Sequence, residues 1–124
     1  MPHAQSRFGS DGEQLAAAYL TSRGYRILDR NARTPVGELD LVCLFGREVV
    51  FVEVKTRRSN SYGAPEEAIT RTKQQHLMRA AHYYLSTHRT LQAHPYRIDV
   101  VAIVALPGRA PEIRHLPSAV GGRI

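Results

Sequence analysis

Two apolar segments separated by a glycine constrain the fold of this chain more than any other feature. Residues 39–45 and 49–56 are rich in Val, Leu and Phe, and both have the length of ordinary strands. Gly46 begins the two-residue turn between them, and Gly at that position favours a type II′ β-hairpin. Centring the turn on Gly46 and the residue after it places Phe45 opposite Glu48. The sequence therefore predicts an antiparallel hairpin with a defined register.

Charged side chains interrupt the apolar pattern of the second strand. Because side chains alternate between the two faces of a strand, Glu53 and Lys55 lie on the same face as Phe51. The hairpin register also places Asp40 opposite Glu53 and Glu38 opposite Lys55. Two acids in such positions have Cβ atoms about 4.5–5.5 Å apart and repel each other. A cation between the carboxylates would remove that repulsion.

Two interpretations of these charged side chains remain open. In the first, they form an ion-pair cluster in which Lys55 and Arg57 neutralise the acids. In the second, Asp40, Glu53 and the Val54 carbonyl oxygen bind Mg²⁺ or Mn²⁺, since hard cations prefer oxygen ligands. The metal would lower the pKa of water and offset charge on a phosphodiester. Lys55 would then position the attacking water or neutralise the developing charge.

A third acid precedes the hairpin. Glu13 has helical spacing to Ala16 and Leu20, so it projects from the apolar side of a helix predicted over residues 10–23. One interpretation makes it the capping-box partner of Ser10 at the start of that helix. The other makes it a third metal carboxylate beside the hairpin.

The rest of the chain predicts one domain. A length of 124 residues with 43% hydrophobic residues suits a single core, which we expect to span residues 1–124 after a loose start over 1–9. No apolar run approaches the roughly 20 residues of a membrane-spanning helix, and we expect a cytoplasmic protein without a membrane partner.

In chain order we expect a helix over 10–23, a strand over 25–28, a turn over 30–33, the hairpin, a helix over 65–88 with a break at Thr70 or Thr72, a strand over 96–106 and a short edge strand over 113–116. This order predicts an α/β or α+β sandwich with a mixed central sheet flanked by helices.

The charge balance favours a polyanionic partner. Lys and Arg together number 17 against 11 acids, which gives a formal net charge of +6, and nucleic acid is the commonest partner of such chains. A solvated basic surface is the alternative. Lys73 lies one turn before the apolar Leu77, from where it either reaches the cleft or lies at the edge of the buried stripe. The residues expected to contact phosphates are Arg30, Arg33, Arg57, Arg58 and Lys73.

Two other polar or reactive side chains have structural explanations. Arg97 and Asp99 lie on one face of a predicted strand, which predicts a local ion pair. Cys43 shares the apolar side of its strand with Leu41 and is expected in the core.

The acidic residues and the lysine have a familiar spacing. Glu13, then Asp40, then Glu53-x-Lys55 on a hairpin resembles the PD-(D/E)xK pattern of restriction-endonuclease-like nucleases, in particular the archaeal Holliday-junction resolvases. Leu39 stands where the superfamily's name has Pro. Over roughly residues 7–119 the chain is also similar to the bacterial YraN family of uncharacterised proteins. The blocks that carry this similarity are Gly12-Glu13, Tyr19-Leu20, Gly24-Tyr25, Arg30-Asn31, Arg33, Gly37-Glu-Leu-Asp40, Phe51-Val-Glu-Val-Lys-Thr-Arg57, Lys73, Ala80-Ala81, Arg97-x-Asp99 and His115.

The resemblance implies a restriction-endonuclease-like domain and a catalytic site. Glu13, Asp40 and Glu53 would be the metal carboxylates, and Lys55 the catalytic amine. The expected activity is Mg²⁺- or Mn²⁺-dependent hydrolysis of nucleic acid, with DNA favoured over RNA and branched DNA as a candidate substrate. Resolvase-like geometry implies a homodimer, because two symmetric cuts need two sites. The alternative is a nuclease-fold protein that binds nucleic acid without independent activity.

Overall fold

The protein is described by a computed structural model that covers residues 4–58 and 69–120, with the side chains described from residue 11 onward. Two helices and five strands make up these segments, and a short 3-10 helix, Arg89–Leu91, precedes the fourth strand. The elements are α1 (Ala4–Ser22), β1 (Arg26–Thr34), β2 (Gly37–Phe45), β3 (Glu48–Arg57), α2 (Arg71–Ser86), β4 (Tyr96–Val104) and β5 (Glu112–Val120).

The five strands form one mixed sheet in the order β1-β2-β3-β4-β5. Strands β3 and β4 are parallel, and the other neighbouring pairs are antiparallel. Helix α2 lies within the connection from β3 to β4, as a parallel pair requires a crossover. This confirms the expected α/β domain with a mixed sheet, and the arrangement is consistent with a restriction-endonuclease-like fold.

Apolar side chains form two separate clusters, one with each helix. Helix α1 contributes Ala16, Ala17 and Leu20 to one cluster, and α2 contributes Leu77, Ala80, Ala81 and Tyr84 to the other. Alternate residues of β3 divide between the two clusters: Val50 and Val52 pack with α1, whereas Val49 and Phe51 pack with α2. The helices therefore cover opposite faces of the sheet. Neither helix is long and apolar enough to cross a membrane.

The central hairpin has the predicted register. The pairs run from Phe45 with Glu48 to Leu41 with Val52. Gly46 has φ = 61°, the left-handed backbone that the first position of a type II′ turn requires. Cys43 is buried in the α1 cluster, which confirms its expected place in the core.

The boundaries of several elements differ from the predictions. Helix α1 begins at Ala4, so residues 4–9 are helical rather than loose. Ser10 lies inside the helix, and the capping-box interpretation of Glu13 is therefore wrong. At the other end of the chain, β5 covers Glu112–Val120 instead of a short segment.

The predicted turn over residues 30–33 is also wrong, because these residues continue β1. Asn31 has φ = 52°, a backbone that Asn tolerates better than most residues, and β1 continues through it. Helix α2 begins at Arg71 with Thr70 as its N-cap and ends at Ser86, so the described part of the predicted helix is shorter than expected. The part of the predicted helix over 65–68 lies outside the described residues.

Candidate active site

A close approach between α1 and β3 brings Glu13 towards the central hairpin. Gly12 is buried, and a Cβ atom added there would overlap the hydroxyl oxygen of Thr56. The glycine therefore lets the helix lie against the carboxyl half of β3. Glu13 follows it directly and is half-buried.

Asp40 occupies the point where β2 and β3 stop pairing. The regular register ends at Leu41 and Val52, one residue short of Asp40 and Glu53. Beyond that point the backbone N–H of Val54 donates to Asp40 Oδ2 at 2.8 Å, so a side chain takes the place of a strand carbonyl. The carboxyl group is thus held where the two strands separate.

The Asp40 carboxyl group lies close enough to Glu53 for the charge of that acid to act on it. Burial raises the pKa of Asp40 to about 7, and the negative charges of Glu53 and Glu13 act in the same direction. The Val54 N–H opposes this shift by stabilising the ionised form. The predicted repulsion between two facing acids therefore appears as a carboxyl group that holds its proton close to neutral pH.

The cation beside Glu53 comes from α2. Lys73 Nζ lies 3.3 Å from Glu53 Oε2, and the two side chains are 43% and 6% exposed. Thr70 positions the first turn of this helix, because its hydroxyl oxygen accepts a hydrogen bond from the Lys73 backbone N–H at 3.1 Å. Of the two positions that the sequence leaves open for Lys73, the structure shows the one in which it reaches the cleft from the second helix.

Glu13 belongs to the same electrostatic cluster. Burial raises its pKa, and the charges of Glu38 and Glu53 raise it further. A hydrogen bond with the Asn31 side chain and the charge of Arg30 oppose this rise. Glu13, Asp40 and Glu53 therefore influence one another from three elements, and we call these three side chains the acidic cluster.

Lys55 does not neutralise the acidic cluster. It lies on β3 beside Ala102 of β4 and is half-buried, and within the described part of the chain it makes no ion pair. Glu38, which was expected opposite it, pairs instead with Arg33 on β1, at 3.7 Å between Nε and Oε2. The ion-pair interpretation built on Lys55 is therefore wrong in its choice of cation. This amine is left available for another role.

The arginines predicted to contact phosphates lie in two places. Arg30 and Arg33 are exposed on β1, an edge strand. Arg57 ends β3 just beyond Lys55, and exposed Arg58 follows it. The positive charge of Arg30 acts on Glu13 and lowers its pKa, whereas Arg33 forms an ion pair with Glu38.

The chemistry of the acidic cluster fits a hard divalent cation. The described cations near its carboxylates do not balance their negative charge. Carboxylate oxygens are the type of ligand that Mg²⁺ and Mn²⁺ prefer. Over residues 4–58 and 69–120, however, no three His, Cys, Asp or Glu side chains are already gathered as a metal-ligand set. In the described arrangement, Lys73 and the proton on Asp40 reduce the repulsion among the carboxylates.

Two features of the site escaped sequence reasoning. The first is the contact between the side chains of Asn31 and Glu13. The signal that could have indicated it is the Asn itself, because Asn adopts a left-handed backbone more readily than most residues. The second is the identity of the Glu53 partner. Lys73 lies 20 residues along the chain, and only its position one turn before buried Leu77 indicated that it faces the sheet.

A second buried acid lies elsewhere in the sheet. Asp99 on β4 is fully buried and accepts hydrogen bonds from Arg97 Nε at 2.9 Å, His115 Nε2 at 2.7 Å and the Ser118 backbone N–H at 2.9 Å. These donors hold the pKa of Asp99 below its usual value despite its burial. Arg97 also contacts Glu48 and donates to the Tyr25 hydroxyl. The predicted pair between Arg97 and Asp99 is confirmed.

The fold and the site together define a small α/β domain that carries an acidic cluster where two central strands separate. The chain belongs to the uncharacterised protein family UPF0102, which matches residues 12–103 and therefore includes Glu13, Asp40, Glu53 and Lys55. This family is YraN-like, so the resemblance drawn from the sequence is confirmed.

Several relatives match this chain along almost their whole length. A UPF0102 protein of Syntrophotalea carbinolica is 47% identical over 96% of this chain and 95% of its own length. A UPF0102 protein of Chloroflexus aurantiacus is 46% identical over 98% of both chains. A third, from Geobacter sulfurreducens, is 45% identical over 94% of this chain and 91% of its own. The names of these relatives state no activity.

Proposed function

We propose that this protein is a Mg²⁺- or Mn²⁺-dependent nuclease of the PD-(D/E)xK type that hydrolyses phosphodiester bonds in nucleic acid. DNA is the favoured substrate, with branched DNA as a candidate form. The observation that supports the proposal best is the position of Asp40, held by the Val54 N–H at 2.8 Å where β2 and β3 separate, with burial and the charge of Glu53 raising its pKa to about 7. Such a pair costs stability, and a bound cation would remove that cost.

Each charged side chain has a role in this proposal. Glu13, Asp40 and Glu53 would hold the metal, with the Val54 carbonyl oxygen as a further ligand. The metal, when bound, supplies positive charge that lowers the pKa of water and offsets charge on the phosphate. Lys55 has no acidic partner among the described residues, so its ammonium group can donate to the attacking water or to a phosphate oxygen.

The reaction is hydrolysis of a phosphodiester. The oxygen of water forms a new bond to phosphorus, and the bond from phosphorus to one bridging oxygen breaks. One proton leaves the attacking water, and one proton is taken up by the departing oxygen. Arg30, Arg33, Arg57 and Arg58 would bind neighbouring phosphates and keep the strand in place.

Thermal melts with and without metal test the site independently of any substrate. In chelator, Asp40→Asn and Glu53→Gln should be as stable as the parent or more stable, because each removes a repelling charge. Added Mg²⁺ or Mn²⁺ should stabilise the parent, by about 2.7 kcal/mol at a concentration 100 times its dissociation constant, and both variants should lose most of that gain. Glu112→Gln, at an exposed acid on β5, is the matched control and should keep it. A parent that ignores both metals would contradict the metal site.

Cleavage assays test the chemistry. The parent should cut at least one member of a panel of branched, nicked and single-stranded substrates in Mg²⁺ or Mn²⁺. Lys55→Arg keeps the charge but changes its shape and hydration, so it should fold and bind as the parent does and lose cleavage. If this variant cuts as fast as the parent, the amine has no specific role.

One observation favours a second candidate, a nucleic-acid-binding protein without independent activity. Lys73 already lies 3.3 Å from Glu53, where it supplies part of the charge that a metal would bring. Binding that depends on salt, together with no metal response in the melts, would support this candidate over the nuclease.

A further inference from the structure

We propose that the outward face of α2 binds the phosphate backbone of a nucleic-acid strand that continues from the acidic cluster. This inference rests on the proposed function, because it assumes that nucleic acid is the substrate. It adds a surface on the side of the helix that faces away from the sheet, separate from the arginines of β1 and β3.

The face is defined by helical spacing. Arg71, Gln75, Arg79 and His82 follow one another at intervals of four, four and three residues, which places them along one side of a helix. All four are exposed. The residues that α2 buries against the sheet occupy the opposite side and are Leu77, Ala80, Ala81 and Tyr84.

The charge of this face is uniformly positive or neutral. The sequence has no Asp or Glu between residues 68 and 98, although the chain has 11 acids in all. Within the part of the chain that the structure describes, Arg71 and Arg79 make no ion pair. Their charge is therefore not balanced by an acid of the helix itself, and a polyanion is the complementary partner.

The face also has a cavity. A space of about 280 Å³ is lined by Gln75, Met78, Arg79 and His82, close to the lower limit of about 300 Å³ for small-molecule sites. The His82 ring shares a hydrogen bond with the Tyr96 hydroxyl, which fixes one wall. A guanidinium, an imidazole and an amide beside one thioether suit a sugar-phosphate unit, whose charge and hydroxyl groups need donors.

The position of α2 connects this face to the acidic cluster. Lys73, in the first turn, contacts Glu53, and Arg71 begins the helix only two residues earlier. At 1.5 Å per residue, the distance along the helix from Arg71 to His82 is about 16 Å. A nucleic-acid strand advances about 3.4 Å per phosphate along its axis, so the face has the length of about five nucleotides. Lys73 lies on the sheet side of α2, so a strand cut at the acidic cluster would reach the outward face by passing around the first turn of the helix, where both Arg71 and Lys73 lie.

The double variant Arg71→Gln/Arg79→Gln tests this inference against the control Arg47→Gln/Arg109→Gln. The control removes the same charge at two exposed positions outside α2, in the connections that follow β2 and β4. Binding of a fluorescent DNA duplex with a single-stranded extension is measured by anisotropy over a range of NaCl concentrations. Each lost phosphate contact reduces the slope of log affinity against log salt by about 0.9, so we expect a reduction of about 1.8 for the α2 variant and less than half of that for the control.

The outcomes separate this inference from the proposed function. If the parent shows no binding at low salt, the proposed function fails. If the parent binds and the two double variants weaken binding equally, only the α2 face is overturned. A poly-glutamate competitor that displaces DNA at equal charge concentration would assign the face to an acidic protein instead, which also overturns the inference. Matching thermal melts for the two double variants ensure that binding is compared between folded proteins.

Discussion

Two acidic residues on β2 and β4, the strands on either side of β3, have opposite surroundings. Asp99 on β4 receives hydrogen bonds from an arginine, a histidine and a backbone N–H, and its pKa is lowered. Asp40 on β2 receives one backbone N–H and faces a second acid, and its pKa is raised. Burial penalises the charge of both carboxylates, so the difference comes from the partners that the chain supplies.

The comparison shows that this fold can surround a buried carboxylate with hydrogen-bond donors where the carboxylate has a structural role. Asp99 ties β5 to the centre of the sheet through His115 and Ser118. Among the described residues, the acidic cluster has Lys73, whose side chain is 43% exposed, beside Glu53, and exposed Arg30 acting on Glu13. Perturbed titratable groups that lack a structural purpose are typical of functional sites. The acidic cluster is therefore the better candidate for chemistry, although Asp99 is the more deeply buried acid.

The largest expected difference between the two acids concerns stability at pH 8. Asp99→Asn should lower the free energy of unfolding by about 3 kcal/mol or more, because the new amide group faces donors and leaves Arg97 without its buried partner. Asp40→Asn should cause no loss, since it removes a repelling charge. Urea unfolding of both variants, with the parent as reference, measures the difference. Equal losses would mean that the two acids are structurally equivalent.

A smaller effect is expected from pH. The folded protein keeps a proton on Asp40 up to about pH 7, whereas the unfolded chain releases it near pH 3.9. The folded state therefore binds more protons between these values, and its stability should fall as pH rises, by about 2 kcal/mol between pH 5 and pH 7 for one proton. Unfolding curves over this range check the slope.

The two acids contribute to this pH profile with opposite signs. Because the pKa of Asp99 is lowered, its stabilising effect is present above pH 4 and is lost only below that value. Asp40→Asn should therefore flatten the fall between pH 5 and pH 7 and leave the acid limb unchanged. A variant that keeps the parent's slope would show that another group is responsible.

The smallest expected effect concerns Lys73. Lys73→Met should destabilise the protein by about 1 kcal/mol at pH 8, a modest value because the lysine is partly exposed and solvent screens the pair. The loss should shrink at pH 5.5, where protonated Asp40 removes one of the negative charges that the missing cation offsets. Adding Glu53→Gln to the variant should restore stability at pH 8. No recovery in that double variant would mean that Lys73 acts through its apolar stem and not its charge.

The sequence predicted the features that depend on local rules. Gly46 and the alternation of β3 were sufficient for the register of the hairpin, and the resulting approach of Asp40 to Glu53 follows from that register. The pair of Arg97 and Asp99 was predictable because the two residues lie two positions apart on one strand. The roles of Glu13, Asp40, Glu53 and Lys55 in catalysis remain predictions.

The features that were missed depend on tertiary contacts. Lys73 meets Glu53 only because α2 packs across the face of β3 that carries both Phe51 and Glu53, and no local pattern encodes that distance. The sequence predicts a turn at Asn31, since Asn is a common turn residue, yet pairing with β2 continues on both sides of it despite its left-handed backbone. The start of α1 was misplaced because Ser10 and Glu13 match a capping box that the helix does not use.

The arginines of β1 have a consequence for the behaviour of this protein in a crowded cell. β1 is an outer strand of the sheet, and an outer strand offers unpaired N–H and C=O groups to any other chain that can add a strand. Arg26, Arg30 and Arg33 are exposed along it, and Asn31 distorts its backbone near the middle. Two copies that met edge to edge at β1 would bring these like charges together, so this edge disfavours the addition of a second copy.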